Sequence, residues 1–311
     1  MRIGLPGLGT TPDQVVKQSA RAEADGFSSL WYTSAVCGDP MVAMALAGRA
    51  TSRVELGTAV MQTYACHPVL QAARAVAAAT AIGTPGRFTL GVGPSHRPFV
   101  EDMLGLSYDR PGRHCEEYVQ VLAGLLRGEQ VRMSGDEFRV SAGPLEAAGD
   151  VRVTVLLAAL GPRLLHVAGT YADGTVLWMA NATAIRGHIA PRIRSAASDG
   201  NRPPPRIVAG LPVAVHDDVA EARSAEARSA AARLFAVYGQ LPNYQRLLAH
   251  GGLSSPADAA IVGDEANVAD HVHGLFEAGA TDVWMAPFAV GGDPSASRVR
   301  TRALLMELAK N

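Results

Sequence analysis

Two glycine-containing turns are the segments of this chain best suited to hold a flat or anionic ligand. In the turn Gly91-Val92-Gly93-Pro94-Ser95-His96, the glycines allow the backbone to approach a ligand closely. In the turn Ala159-Leu160-Gly161-Pro162-Arg163, Pro162 starts a predicted helix whose first N–H groups suit a phosphate, and Arg163 adds a positive charge. Taken alone, each segment is more often an ordinary turn that ends a strand.

Histidines are the candidate proton donors. His96 and His67 both lie near predicted strand ends, and imidazole titrates close to neutral pH. His271 and His273 are two residues apart on a predicted helix and therefore point to different faces, which makes them a poor metal pair. No metal site is predicted.

Familiar catalytic motifs are missing from the sequence. The dinucleotide pattern G-x-G-x-x-G fails because His96 occupies the third glycine position and no helix is predicted to start there. The sequence also has no H-E-x-x-H, G-x-S-x-G or G-x-x-x-x-G-K motif. Acidic residues near strand ends are few (Asp39, Glu101 and Asp102, all in predicted loops), which argues against the paired acids of a glycosidase.

The elements that must position these residues alternate regularly between strand and helix. Short apolar runs predict eight strands, at residues 2–5, 29–32, 54–59, 88–92, 153–158, 175–178, 207–215 and 282–286. Helical patterns separate them, among them residues 68–82 and 185–197, and residues 93–113, 127–150 and 217–256 are left as insertions. The alternation predicts an α/β fold, a single (β/α)8 TIM barrel over residues 1–311 with insertions, in preference to an open doubly wound sheet. Catalytic residues of such a barrel lie at the C-terminal ends of its strands.

Composition excludes several classes of protein. The chain has 311 residues, a net charge of −1 and 48% hydrophobic residues, which argues against disorder and against nucleic acid as a partner. Its three cysteines form no C-x-x-C pair and suit a reducing cytoplasm. The N-terminus does not read as a signal peptide, and no apolar run is long enough to span a membrane.

Four segments carry a resemblance to a known family: residues 56–60, 86–93, 110–118 and 158–169, the last followed by Ala172-Asp173-Gly174. With these segments the chain resembles the luciferase-like monooxygenase superfamily of flavin and deazaflavin barrels. Within that superfamily it is similar to the branch that uses coenzyme F420.

The resemblance implies a cofactor site at the strand ends. It implies a non-proline cis peptide bond at Ala59–Val60, under the tricyclic ring of the cofactor. It also assigns the phosphate tail to the two turns described above. Many relatives carry an Asp-His pair after the second strand, and this chain has small hydrogen-bonding residues there instead. The implied cofactor residues are Thr33, Ser34, Ala59, Val60, Gly91, Val92, Gly93, Pro94, Ser95, Ala159, Leu160, Gly161, Pro162 and Arg163.

The resemblance also implies an activity, that of an F420-dependent oxidoreductase. A hydride would move between C5 of the deazaflavin and a C=C, C=N or C–OH unit of a small molecule. His96 takes the position of an acidic proton donor in a related sugar-phosphate dehydrogenase, so it is expected to donate a proton or to line the pocket. Tyr64, His67, Trp178 and Tyr244 are expected on the substrate side, although Tyr244 is equally suited to anchoring its own helix.

Two alternatives to this function remain open. The first is an FMN-dependent monooxygenase of the same superfamily, and the second is a barrel that binds the cofactor without catalysis. By the same resemblance the chain is expected to form a homodimer.

Overall fold

The computed structural model describes residues 1–34, 38–146, 151–216 and 221–310, so Cys37 lies outside the described residues. The strands are β1 Ile3–Gly7, β2 Ser29–Tyr32, β3 Glu55–Thr58, β4 Met61–Gln62, β5 Phe88–Gly93, β6 Val131–Ser134, β7 Arg139–Ala142, β8 Thr154–Leu157, β9 Gly174–Trp178, β10 Arg206–Val215, β11 Ile261–Gly263 and β12 Asp282–Pro287. Eight of them pair in parallel around a closed ring, in the order β1-β2-β3-β5-β8-β9-β10-β12 and back to β1. The predicted barrel is confirmed.

Helices connect these strands and cover the outside of the barrel. They are α1 Pro12–Ala24, α2 Pro40–Arg49, α3 Pro68–Ile82, α4 Pro111–Leu126, α5 Pro162–Tyr171, α6 Ala182–Ala184, α7 Ala190–Asp199, α8 Glu221–Phe235, α9 Pro242–His250, α10 Glu265–Glu277 and α11 Pro294–Lys310. A proline in the first turn and a side-chain cap start several of them. Thr11 caps α1 by accepting from the Gln14 N–H, and Asp39 caps α2 by accepting from the Met41 N–H. None of the helices in the described ranges is both long and apolar enough to cross a membrane.

The structure departs from the sequence-based prediction in four connecting segments. Strands β6 and β7 form an antiparallel hairpin within the second predicted insertion, and β4 adds two residues beside β5. A π-helical turn, Phe99–Met103, follows the first glycine turn, where no helix was expected. The predicted helix at 185–197 begins with a π-helical turn, Ile185–Ile189, before α7. The conformation of these short strands and π-helical turns depends on tertiary contacts, so the sequence shows no hydrophobic periodicity for them.

An ionic cluster closes the barrel at the N-terminal ends of its strands. Arg206 donates to both carboxylate oxygens of Asp282, at 2.9 and 2.7 Å, and to both of Glu55, at 2.7 and 2.9 Å. Arg2 bonds to the same two carboxylates. Burial alone would raise the pKa of Asp282, but the hydrogen bonds from Arg206 and the charge of both arginines hold it below its ordinary value. The cluster ties β1, β3, β10 and β12 together at the end opposite the predicted site.

Above this cluster, an apolar layer fills the barrel. Its buried members are Trp31, Leu156, Val176, Val208 and Trp284. Ala59, Val60, Trp178 and Ala286 pack on this layer from the C-terminal side. The packed interior therefore supports the strand ends at which the functional site lies.

Candidate active site

A cleft of about 1410 Å³ opens at the C-terminal ends of the barrel strands. Ligand pockets usually measure about 300–1,000 Å³, so this cleft has room for a large cofactor together with a substrate. The structure brings most of the predicted site residues into its lining. They are Thr33, Ala59, Val60, Gly93, Pro94, Ser95, His96, Leu160, Gly161, Pro162, Arg163, Trp178 and Tyr244.

The remaining predicted cofactor residues lie beside or beneath the cleft lining. Ser34 follows Thr33 but is not part of the lining, and Val92 and Ala159 are buried. Gly91 is enclosed by Thr58, whose hydroxyl donates to the Gly91 carbonyl at 2.7 Å and accepts from its N–H at 2.9 Å. A Cβ at Gly91 would lie 2.0 Å from the Thr58 carbonyl oxygen, so only glycine fits. The structure thus gives Gly91 a packing role next to the Ala59–Val60 bond.

Tyr64 and His67, predicted on the substrate side, lie outside the cleft lining. The Tyr64 ring stacks on His114, with ring centroids 3.8 Å apart. His67 precedes α3, where its Nδ1 accepts from the Val69 N–H at 3.3 Å. Both side chains therefore contribute to the packing and capping of neighbouring helices.

The floor of the cleft is formed by Ala59 and Val60, and the peptide bond between them is cis, as the resemblance implied. The Ala59 N–H donates to the Tyr32 carbonyl at 2.7 Å, which fixes the start of this bend. A Cβ at Gly93 would lie 2.9 Å from Val60 Cγ2 and 3.0 Å from Ala158 Cβ. The first glycine turn therefore lies directly against the floor because it carries no side chain at that position.

His96 stands at the end of this turn and is half-buried. Its ring centroid is 6.0 Å from that of Tyr244, and burial lowers the pKa of the imidazole below 6.5. Ser95 has a φ of 63°, and its carbonyl accepts from the Tyr108 hydroxyl at 3.0 Å. Because burial raises the pKa of Tyr108 to about 12, that hydroxyl keeps its proton at neutral pH. Tyr108 thereby fixes the backbone that presents His96.

The second glycine turn leads into the N-terminus of α5. Gly161 is the N-cap and Pro162 the first helical residue, and no side chain in the described residues caps this helix. Uncapped N–H groups at a helix start attract anions. The His188 Nε2 donates to the Leu160 carbonyl at 2.8 Å and so fixes the turn, while Arg163 pairs with Glu116 at 3.0 Å. The residues Leu160 to Leu164 all line the cleft, which makes this helix start its best candidate for binding a phosphate.

Aromatic side chains form one side of the cleft, here called the aromatic wall: Trp178, Phe235, Tyr238 and Tyr244. Trp178 stacks on Trp284 at 4.8 Å and meets Phe235 edge-on at 6.0 Å. Tyr238 and Tyr244 are 4.9 Å apart, and burial raises the pKa of both phenols, so both remain neutral. The wall excludes water from one side of the cleft and offers flat apolar surfaces to a ligand.

The charges that line the cleft are all positive. Five arginines are present, and no aspartate or glutamate from the described part of the chain belongs to the lining. This local excess contrasts with the net charge of −1 for the whole chain. The cleft therefore favours anionic ligands.

Sequence reasoning missed several residues of the lining, all in the predicted insertions or after the last strand. They are Arg97, Tyr108, Arg233, Phe235, Tyr238, Arg246, Phe288 and Arg298. One available signal was the spacing of Ala230, Arg233 and Leu234, which places the three on one face of a helix. For the others, no sequence pattern indicates which loop residues turn toward the strand ends.

Comparison with known proteins identifies the family of the chain and several similar enzymes. A family model described as luciferase-like monooxygenase matches residues 2–282. The chain is 25% identical over 311 residues to the 5,10-methylenetetrahydromethanopterin reductase of Methanolobus tindarius, covering 98% of this chain and 91% of that one. It is 30% identical over 230 residues to the F420-dependent hydroxymycolic acid dehydrogenase of Mycobacterium tuberculosis, covering 69% and 62%. Its fold matches that of an F420-dependent secondary alcohol dehydrogenase, solved with an F420-acetone adduct, with a TM-score of 0.75 at 18% identity and 97% coverage of both chains.

Proposed function

The chain belongs to the luciferase-like monooxygenase family, and from that premise we propose that it is a coenzyme F420-dependent oxidoreductase. The observation that carries the proposal is the cleft itself, which joins a flat apolar floor at Ala59–Val60 to an uncapped helix start at Gly161. A planar ring with an anionic tail matches both features. The relatives named as a reductase and an F420-dependent dehydrogenase support the same activity.

The residues present fit the cofactor. Ala59, Val60 and the Gly93 backbone would lie against the ring, because no side chain at Gly93 fills the space beside Val60. The N–H groups at the start of α5, together with Ser95, would hold the phosphate. When bound, coenzyme F420 supplies a hydride donor and acceptor at C5 of its deazaflavin ring.

The chain itself would orient the substrate and manage one proton. The aromatic wall keeps water away from the reacting carbon and presents flat surfaces to the substrate. We assign to His96 the proton that the substrate gains when it is reduced or loses when it is oxidised. Burial lowers the pKa of His96 from its ordinary value, so the imidazole is mainly neutral at pH 7 and is available to accept a proton.

Cofactor titration tests the proposal. We expect oxidised F420 to bind, measured by quenching of its fluorescence, and reduced F420 to be reoxidised by members of a panel of unsaturated compounds and imines under anaerobic conditions. Oxidised F420 with secondary alcohols tests the reverse direction. The proposal fails if F420 does not bind while reduced FMN binds tightly and consumes oxygen productively, which would favour the monooxygenase alternative.

A substitution separates catalysis from mere binding of the cofactor. His96→Ala should lower kcat by about 10²–10⁴-fold, the usual contribution of a general acid or base, with unchanged affinity for F420. His271→Ala is the matched control, because His271 is exposed on α10 and bonds to the Asn267 carbonyl of its own helix. Absence of turnover with every substrate tried, despite F420 binding, would favour the non-catalytic alternative.

We also propose that the chain forms a homodimer in the cytoplasm. The outer faces of α2 and α3 support the homodimer, since Val42, Leu46 and Leu70 expose 59%, 50% and 61% of their surface. Val42 and Leu46 are four residues apart and therefore lie on one face of α2. Exposed apolar side chains grouped in this way suit burial against a second copy.

A further inference from the structure

The five arginines of the cleft differ in their ion pairs. Arg97 pairs with Glu101, and Arg163 pairs with Glu116. Within the residues that the structure describes, three others lack a carboxylate partner: Arg233, Arg246 and Arg298. An arginine without a partner retains its charge and its donors for a ligand, because the guanidinium binds carboxylate and phosphate through paired hydrogen bonds.

Two of these arginines lie on one side of the cleft. Arg233 faces the cleft together with Ala230 and Leu234 of α8, and Arg298 belongs to α11, which follows β12. Phe235 of α8 meets Phe288, just after β12, edge-on at 6.0 Å. This contact joins α8 to the segment that leads to α11, so Arg233 and Arg298 lie on the same side of the cleft.

This side is opposite the site proposed for the cofactor. In the eight-stranded ring, β12 is four strands away from β5 and therefore faces it across the barrel. The first glycine turn follows β5, and the start of α5 follows its neighbour β8. A phosphate bound at those two turns would thus lie on the opposite side of the cleft from Arg233 and Arg298.

We propose that the substrate is an organic anion whose carboxylate or phosphate group binds Arg233 and Arg298. The inference rests on the proposed function and adds the chemical class of the substrate. Trp178 packs on the same apolar layer as Ala59 and Val60 and contacts Phe235, which follows Arg233 by two residues. The aromatic wall thus links the arginine side of the cleft to its floor, so the body of the substrate is apolar or flat and reaches toward the Ala59–Val60 bond. Arg246 on α9 adds a third positive charge at the lining.

Binding of charged and uncharged analogues to the protein loaded with oxidised F420 tests the inference. The compounds are trans-cinnamate, phenyl phosphate and the uncharged cinnamamide, titrated by calorimetry. We expect at least one of the two anions to bind at least about tenfold more tightly than cinnamamide, as expected for a charge-assisted contact. Whether cinnamate or phenyl phosphate is preferred identifies the anionic group. No preference for either anion would overturn the inference.

Variants assign the preference to the two arginines. The double variant Arg233→Gln/Arg298→Gln should lose most of the preference for the anions over cinnamamide, with F420 affinity changed less than twofold. Arg228→Gln is the matched control, since Arg228 is exposed on α8 but lies outside the cleft lining, and it should behave as the unmodified protein.

The same variants separate the substrate from the cofactor. A tenfold loss of F420 affinity in the double variant, with the anion preference retained, would show that these arginines bind the cofactor and would overturn the inference. If F420 does not bind the unmodified protein, the proposed function fails. The titrations of the three compounds into the protein alone then still decide whether this side of the cleft selects anions.

Discussion

Replacement of Arg206 by methionine should cost this protein about 3 kcal/mol of stability at pH 7. Arg206 donates four hydrogen bonds of 2.7–2.9 Å to Asp282 and Glu55. The two carboxylate side chains are only 2% and 7% exposed, and that of Arg206 only 19%. Removing one partner from a buried ion pair costs about 3–5 kcal/mol. We place the loss at the lower end because Arg2 still bonds to both carboxylates.

The loss should depend on pH. In the unmodified protein the pKa of Asp282 is held below its ordinary value, so its stabilisation is complete above the pKa of the unfolded chain and declines only as pH falls through the folded pKa. Without Arg206, burial dominates and raises the pKa of Asp282 above that of the unfolded chain. The variant therefore loses stability as pH rises between those two values. The difference between the two proteins should be larger at pH 7 than at pH 5.

Urea unfolding followed by circular dichroism at pH 5 and pH 7 measures both effects. Arg127→Met is the control, because Arg127 and Glu129 form an ion pair whose side chains are 48% and 52% exposed. An exposed pair contributes at most about 1 kcal/mol, with little dependence on pH in this range. The reasoning is refuted if the free energy of unfolding of Arg206→Met at pH 7 is within about 1 kcal/mol of that of the unmodified protein, the most that an exposed ion pair contributes. It is also refuted if the loss of stability is equal at both pH values.

Three other predictions concern the site and the assembly. Gly91→Ala places a Cβ 2.0 Å from the Thr58 carbonyl oxygen, so we expect about 2–3 kcal/mol of destabilisation in thermal unfolding and weaker F420 binding. Unchanged affinity for F420 would show that packing at Gly91 does not position the cleft floor. If His96 donates the proton, kcat/KM for reduction should fall as pH rises through the lowered pKa of His96, and kcat/KM for oxidation should rise over the same range. His96→Gln should abolish both pH dependences. A pH dependence that persists in the variant belongs to another group. If the chain forms the proposed homodimer, Leu46→Glu should convert it to a monomer in light scattering with unchanged circular dichroism. A dimer that persists in the variant would place the interface on another surface.

The barrel could be predicted from the sequence because its strands are short buried runs between clear helix starts. The strand at 29–32 and the helix at 68–82 were predicted to the residue, and the other barrel strands within two residues at each end. The hairpin formed by β6 and β7 was missed because one face of it is exposed and charged residues interrupt its short strands. Hydrophobic periodicity detects elements that the core specifies, and this hairpin lies outside the barrel.

The site could be predicted only where strand ends define it. The turn at Gly93–His96 and the start of α5 were found because parallel strands bring their C-terminal ends together. Tyr64 was expected in the cleft, but β4 pairs with β5 directly after the cis bond, and the chain then passes toward α4, where Tyr64 stacks on His114. The arginines of the rim come from α8, α9 and α11, whose orientation depends on contacts such as that between Phe235 and Phe288.

The absence of acidic residues from the described lining of the cleft also has a kinetic consequence. The chain as a whole is nearly neutral, so a negatively charged molecule is attracted toward the mouth and hardly toward the rest of the surface. Such attraction raises the rate of encounter, and salt screens it over a Debye length of about 8 Å at physiological ionic strength. The association rate constant of an anionic cofactor should therefore fall as salt is added, while its dissociation rate constant changes little, because close contacts within the cleft are screened less.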